Sequence, residues 1–157
     1  MTSEPCAMDE FYFQWHVTER CNKRCRHCYQ NEHYPDDLPL AGLQLVLGRM
    51  EEALIKWGRK GSLSFTGGEP LVRRKELFIL MQQVDQVSSF EFYALLTNGS
   101  LILNDVALAL KNQNKLRRVQ VSLEGATPET KDAIRGNGSY VETLNSIRTM
   151  KSPGLHK

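Results

Sequence analysis

The chain reads as an α/β fold of parallel strands, with about four βα units. Three observations predict it. Short runs rich in aromatic and β-branched residues alternate with longer stretches whose apolar residues recur at helical spacing. That alternation repeats along the chain, which demands parallel strands joined by right-handed crossovers. Each unusual motif falls directly after a strand, where ligands gather in such folds.

The elements follow in order. Residues 12–18 read as a buried strand, with the cysteine-rich loop directly after it. Residues 33–39 are polar, hold two prolines and read as a loop. Leu43, Leu47, Met50, Leu54 and Trp57 mark a first helix that Gly58 stops. Residues 62–66 form a second strand that runs into Gly67-Gly68-Glu69-Pro70. Leu77, Leu80, Met81, Val84 and Val87 mark a second helix. Residues 90–96 are a third strand, followed by Thr97-Asn98-Gly99. Asn104 is placed to cap a short third helix. Residues 118–123 are a fourth strand, with Val119, Val121 and Leu123 on one face and Gln120 and Ser122 on the other. A loop then leads to Ser139-Tyr140-Val141-Glu142, read as a capping box that opens the last helix.

Composition bounds the class. With 157 residues, 41% of them hydrophobic, the chain can build one domain with a core and is not a disordered protein. Residues 1–10 read as a polar tail and 11–157 as that domain. A net charge of +2 makes no case for nucleic acid, and no apolar run approaches a membrane span. The polar, acidic N-terminus carries no signal peptide, so the chain is expected in the cytoplasm.

Cys21, Cys25 and Cys28 carry the chemistry. They stand in Glu19-Arg20-Cys21-Asn22-Lys23-Arg24-Cys25-Arg26-His27-Cys28-Tyr29, a C-x3-C-x2-C spacing. A four-iron cluster is usually held by four thiolates. Three leave one iron open to another ligand. Structural zinc also uses close cysteines but wants four ligands, and His27 is awkwardly placed between two of them. A disulfide framework does not suit a cytoplasmic chain. Spacing alone leaves iron–sulfur and zinc both open. Arg20, Lys23, Arg24 and Arg26 surround the cysteines, either as a solvated basic loop or as compensation for an anionic cluster. Cys6, in the tail, reads as a bystander.

The motifs in order resemble those of the radical S-adenosylmethionine (SAM) superfamily. They are the three cysteines, Thr66-Gly67-Gly68-Glu69-Pro70, Leu96-Thr97-Asn98-Gly99, Val121-Ser122-Leu123-Glu124-Gly125 and Ile134-Arg135-Gly136. The resemblance covers residues 11–150. It implies a partial (βα) barrel, a [4Fe–4S] cluster on Cys21, Cys25 and Cys28, and SAM on the open iron. It further implies that Gly67, Gly68 and Glu69 meet the SAM amino group and that Tyr29 meets the adenine. Ser122 would offer a hydroxyl, Arg135 would pair with the SAM carboxylate, and Asn98 would shape the turn before Gly99. Each residue also has a plainer role open to it: a turn glycine, a loop anchor or a surface charge. Glu124 stands where the family often has Asp. The implied reaction is reductive cleavage of SAM to a 5′-deoxyadenosyl radical that abstracts hydrogen from substrate. The electron would come from a donor such as flavodoxin or ferredoxin.

Within the family, the run from Val121 to Glu129 with Ile134-Arg135-Gly136 resembles the branch with a SPASM or twitch domain. The stretch Phe13 to Cys21 resembles peptide maturases. A peptide or protein substrate is the first expectation. The alternatives are a small-molecule enzyme of modified-haem or quinone-cofactor synthesis, or a non-catalytic iron–sulfur or zinc-binding fragment. The family core has six βα units and the pattern here holds four, so a truncated core is expected. Residues 118–123 would then form a hydrophobic, aggregation-prone edge. The chain alone is expected to be poorly soluble or oligomeric, and catalytically weak or dead.

Overall fold

The computed structural model describes residues 10–30 and 36–151. Four strands form one parallel sheet in chain order: β1 (Glu10–His16), β2 (Lys60–Thr66), β3 (Phe90–Thr97) and β4 (Leu116–Val121). Between them run α1 (Leu40–Trp57), α2 (Arg74–Gln86) and α3 (Asn104–Lys111), and after them α4 (Pro128–Arg135) and α5 (Ser139–Lys151). Sequential strand order means that every crossover steps the same way, as barrel winding requires. The expected α/β class and parallel pairing hold.

Alternation along each strand sorts the side chains. Phe13 and Trp15 of β1, Leu63 and Phe65 of β2, and Tyr93 and Leu95 of β3 join Leu43, Leu54, Leu77, Leu80 and Leu110 of the helices in one core. Gln14, Ser64 and Ala94 lie in register on the opposite, inner face, as do Leu96 and Gln120. The functional motifs then share the carboxyl rim. Gly58 ends α1 in the left-handed region, φ 64°, as its sequence position demands.

The differences are local. Residues 126–138, expected as loop, contain α4, which Thr127 caps through a reciprocal pair with Thr130. Thr127-Pro128-Glu129 is itself a helix-start signal, a cap followed by proline at the first turn. Asn104 is not a cap: it is the first residue of α3, and Leu103 precedes it with no side-chain cap bond. Ser139 and Glu142 do not form a capping box either. The start of α5 is capped from α4: the Asp132 carboxylate accepts from the N–H groups of Gly138 (2.7 Å) and Tyr140 (2.8 Å) and from the Ser139 hydroxyl (3.0 Å). A preceding helix supplied the acceptor, so the local sequence did not need to. The edge at β4 is less apolar than expected. Its strand ends at Val121, and Arg117, Arg118 and Gln120 are exposed on it. Charges of that kind blunt an edge.

Asp132→Ala should therefore loosen α5 rather than α4. Amide exchange at Gly138 and Tyr140 is expected to speed several-fold while the β2 and β3 amides stay protected, as read by hydrogen exchange.

Candidate functional site

A cavity of about 250 Å³ opens at the carboxyl ends of the strands. It gathers Cys21, Cys25, Cys28, Tyr29, Gly67, Gly68, Asn98, Ser122 and Arg135. Of the site residues expected from sequence, only Glu69 does not line it.

The two glycines, which line the cavity, also let two backbone segments lie flush. After β1 and β2 end, their pairing continues into the loops. Val17 N–H donates to Thr66 O (3.0 Å), Gly68 N–H to Thr18 O (2.9 Å) and Glu69 N–H to Arg20 O (2.8 Å). A Cβ on Gly67 would lie 2.2 Å from Thr18 O, and one on Gly68 2.4 Å from Arg20 O. Gly67 also holds φ 140°, which disfavours any side chain. The missing side chains thus let this ribbon lie flush against the loop that presents Cys21. A larger residue at Gly68 would strike the cysteine loop at Arg20 O.

Glu69 is fully buried. Its carboxylate accepts from Leu71 N–H (3.1 Å), the Thr97 hydroxyl (2.8 Å) and Asn98 N–H (2.7 Å). Burial pushes its pKa above the usual carboxylate range, opposed by those hydrogen bonds and by the Arg135 charge. Glu69 is a strut between the ends of β2 and β3. The Asn98 it fixes shapes the next turn, as expected, by accepting from Ser100 N–H (2.9 Å). Asn98 also donates to Asn22 (3.0 Å) and reaches the Cys21 sulfur at 3.9 Å. Burial raises the Cys21 thiol pKa, opposed by the Lys23 N–H, and the charges of Glu69, Cys25 and Cys28 raise it further.

Ser122 extends the β4 ladder by donating its N–H to Thr97 O (3.0 Å). Behind it lies Lys131, a buried lysine that the sequence reading missed. Its ammonium donates to Ser122 O (2.5 Å) and lies 3.7 Å from Glu124. Burial lowers its pKa, with Glu124 opposing. Finding α4 from its Thr-Pro start would have turned this lysine toward Ser122. Arg135 forms a fork with Glu124, Nε to Oε2 at 2.5 Å with a second bond to Oε1. Burial alone would raise the Glu124 pKa, but the Arg135 hydrogen bond and charge hold it below the usual range. Arg135 is thus fixed at the cavity wall with guanidinium N–H groups to spare. Tyr29 is 71% exposed, its hydroxyl 3.4 Å from His16 Nδ1.

A profile described as the Radical SAM superfamily matches residues 15–157. The chain belongs to that superfamily. A GTP 3′,8-cyclase of Peptoclostridium acidaminophilum is 35% identical over 92% of this chain and 43% of its own length. Another from Xanthomonas campestris pv. campestris is 34% identical over 90% and 42%. The chain thus spans about two-fifths of the curated relatives it matches. In fold it is similar to anSMEcpe solved with AdoMet and the Cp18Cys peptide, at TM-score 0.71 and 21% identity, over 91% of this chain and 40% of that one. It is also similar to Streptococcus suis SuiB bound to precursor peptide SuiA, at TM-score 0.71 and 17% identity, over 92% and 30%. The partial barrel is therefore shown.

The superfamily's cofactors are a [4Fe–4S] cluster and SAM, and the residues fit them. The three thiols are free and share one cavity wall. Among the described residues no three His, Cys, Asp or Glu side chains are placed to hold a single ion. A cubane bonds each thiolate to a different iron, so its ligands stand farther apart. Cys6 lies outside the described residues. No helix among the described residues is long and apolar enough to cross a membrane.

Gly68→Ala should cost about 1–3 kcal/mol in urea unfolding through overpacking against Arg20 O, and should lower iron content before any effect on SAM is resolved. Acid sensitivity offers a second check. The Glu124 pKa is depressed on folding, so its stabilisation is present above the ordinary value and lost as pH falls through the depressed one. Arg135→Gln should flatten that acid limb in urea midpoints measured across the range.

Proposed function

We propose that this chain binds a [4Fe–4S] cluster through Cys21, Cys25 and Cys28 and holds SAM along the strand ends to start radical modification of a substrate. The observation that carries the proposal is the single cavity into which three free thiols, the Gly67-Gly68 ribbon, Ser122 and Arg135 all open. When bound, the reduced cluster and SAM together supply a carbon-centred radical that removes hydrogen from substrate. The chain's own residues position and shield. The Gly67-Gly68 ribbon fixes the height of the Cys21 loop. Asn98 donates toward the Cys21 sulfur, a contact that favours its thiolate. Arg135, held by Glu124, presents free N–H groups for a carboxylate. Ser122, held by Lys131, presents its hydroxyl to the same space.

Two substrate readings stand within this proposal. The motif run from Val121 to Gly136 supports a peptide or protein, acted on in the manner of the SPASM or twitch branch. The similarity to GTP 3′,8-cyclases supports a small molecule of cofactor synthesis. An external electron donor such as flavodoxin or ferredoxin, and a division of the chain into tail and core, belong to the same proposal.

Anaerobic reconstitution tests it. Wild-type protein should gain the absorbance of a four-iron cluster and release 5′-deoxyadenosine from SAM under dithionite. Alanine at Cys21, Cys25 or Cys28 should abolish both, and Cys6→Ala should keep both. A cluster that survives Cys25→Ala would refute the ligand assignment.

A further inference from the structure

We propose that Thr18, Asp37 and Arg73 form a latch that ties together the two ends of the cysteine segment and so positions Cys21 for the cluster; this rests on the radical SAM reading above.

The first observation is where that segment begins and ends. Cys21, Cys25 and Cys28 all fall between Thr18 and Asp37. The Thr18 hydroxyl donates to the Asp37 carboxylate, 2.7 Å from Oδ1 and 2.8 Å from Oδ2. Glu19 N–H donates to the same carboxylate at 3.4 Å. Two side chains 19 residues apart thus meet directly. Bringing such ends together costs chain entropy, and a charge-assisted hydrogen bond offsets part of it. The Thr18 hydroxyl also accepts from Arg20 N–H at 3.0 Å. On the other side, Thr18 O accepts from Gly68 N–H and Arg20 O from Glu69 N–H. The three residues before Cys21 are therefore gripped twice. The glycine ribbon holds the Thr18 and Arg20 carbonyls, while Asp37 and the Thr18 hydroxyl hold the donors.

The second observation is burial with charge. Thr18 is buried, and the side chains of Asp37 and Arg73 are only 10% and 9% exposed. A carboxylate so far from water needs a cation or donors beside it. Arg73 supplies the charge, its Nη1 3.8 Å from Asp37 Oδ2. The same Nη1 donates to Leu38 O (2.8 Å) and Nη2 donates to Glu76 (3.2 Å), which fixes the guanidinium against the start of α2. Arg73 ends the helical turn Pro70–Arg73 that directly follows the glycine ribbon. One stretch of chain after β2 therefore supplies both grips on the segment that carries Cys21. None of the three latch residues lines the cavity. They act through the Cys21 backbone, as positioning residues. Three thiolates that must each bond a different iron have to be held at set separations, and a segment tied at both ends has fewer ways to lose them.

The experiment compares Thr18→Val, which keeps the shape and removes the hydroxyl, with Thr18→Ser, which keeps the hydroxyl, and with Asp37→Ala. Val84→Ala, in the core at the far end of α2, is the control for general destabilisation. Three quantities are read on each protein: the urea midpoint, the rate of iron release from the reconstituted chain to an excess of ferrous chelator, and the rate at which iodoacetamide alkylates Cys21 in the cluster-free chain. Thr18→Val and Asp37→Ala should each speed iron release about tenfold, as the loss of a charge-assisted hydrogen bond allows. Cys21 alkylation should rise several-fold in the same two variants. Thr18→Ser should stay near wild type, and Val84→Ala should lower the midpoint without moving either rate. Wild-type rates in Thr18→Val overturn the inference. So does a Thr18→Ser protein as fast as Thr18→Val, because the hydroxyl would then not matter. Equal acceleration in Val84→Ala overturns it too, by reducing the latch to ordinary stability. Wild-type protein that takes up no cluster defeats the radical SAM reading instead, and Cys21 alkylation in the cluster-free chain then still decides for or against the latch.

Discussion

A buried carboxylate organises the rim of this sheet. Glu69 leaves β2, turns inward and accepts from Leu71, Thr97 and Asn98. Its backbone N–H is bonded to Arg20 in the cysteine loop. One residue therefore touches the ends of two strands and the segment that carries Cys21. Hydrogen bonds to a charged group contribute about 1.5–3 kcal/mol each, and three of them offset part of the desolvation penalty that burial imposes on the ion. Burial still outweighs them, and the Glu69 pKa stands above the ordinary carboxylate range. Such a strut is worth its burial because it fixes relative height: Asn98 meets Asn22 and the Cys21 sulfur only if β3 and the loop after β1 end at matching levels.

Glycine supplies the other half of the constraint. Hydrogen bonds from Glu69 could not draw the loops together if side chains kept them apart. At Gly67 and Gly68 the backbones of the two loops approach to a distance at which no Cβ fits. The same rule recurs at Gly99, φ 85°, where a Cβ would sit 2.7 Å from Val121 and 2.8 Å from the Ser146 hydroxyl. Each rim motif is a place where two chain segments lie flush. The cavity is the space left between segments that glycine allowed to close.

Charge around the cavity is arranged in pairs. Glu124 serves Arg135 and Lys131 together, and Glu142 serves Lys23. The pairs hold long side chains still, so that Ser122 and Arg135 face the cavity in set positions.

The sequence alone determined the order of the strands and of every helix but α4, the parallel sheet, and most of the residues on the rim. It could do so because those signals are local: period-two and helical spacing, a cysteine triplet, a glycine pair after a strand. Nine of the ten expected site residues line one cavity for that reason. What each residue does was decided by the tertiary structure. Glu69 turned inward because Thr97 and Asn98, far along the chain, offered it donors. The glycines answer to the Thr18 and Arg20 carbonyls, which lie in the loop after the neighbouring strand β1. Lys131 became a site residue because α4 folds back over Ser122. Asp132 replaced the local cap of α5 because the two helices meet end to end. Residue type and local period can be read along a chain, but a hydrogen-bond partner fifty residues away exists only once the chain has folded.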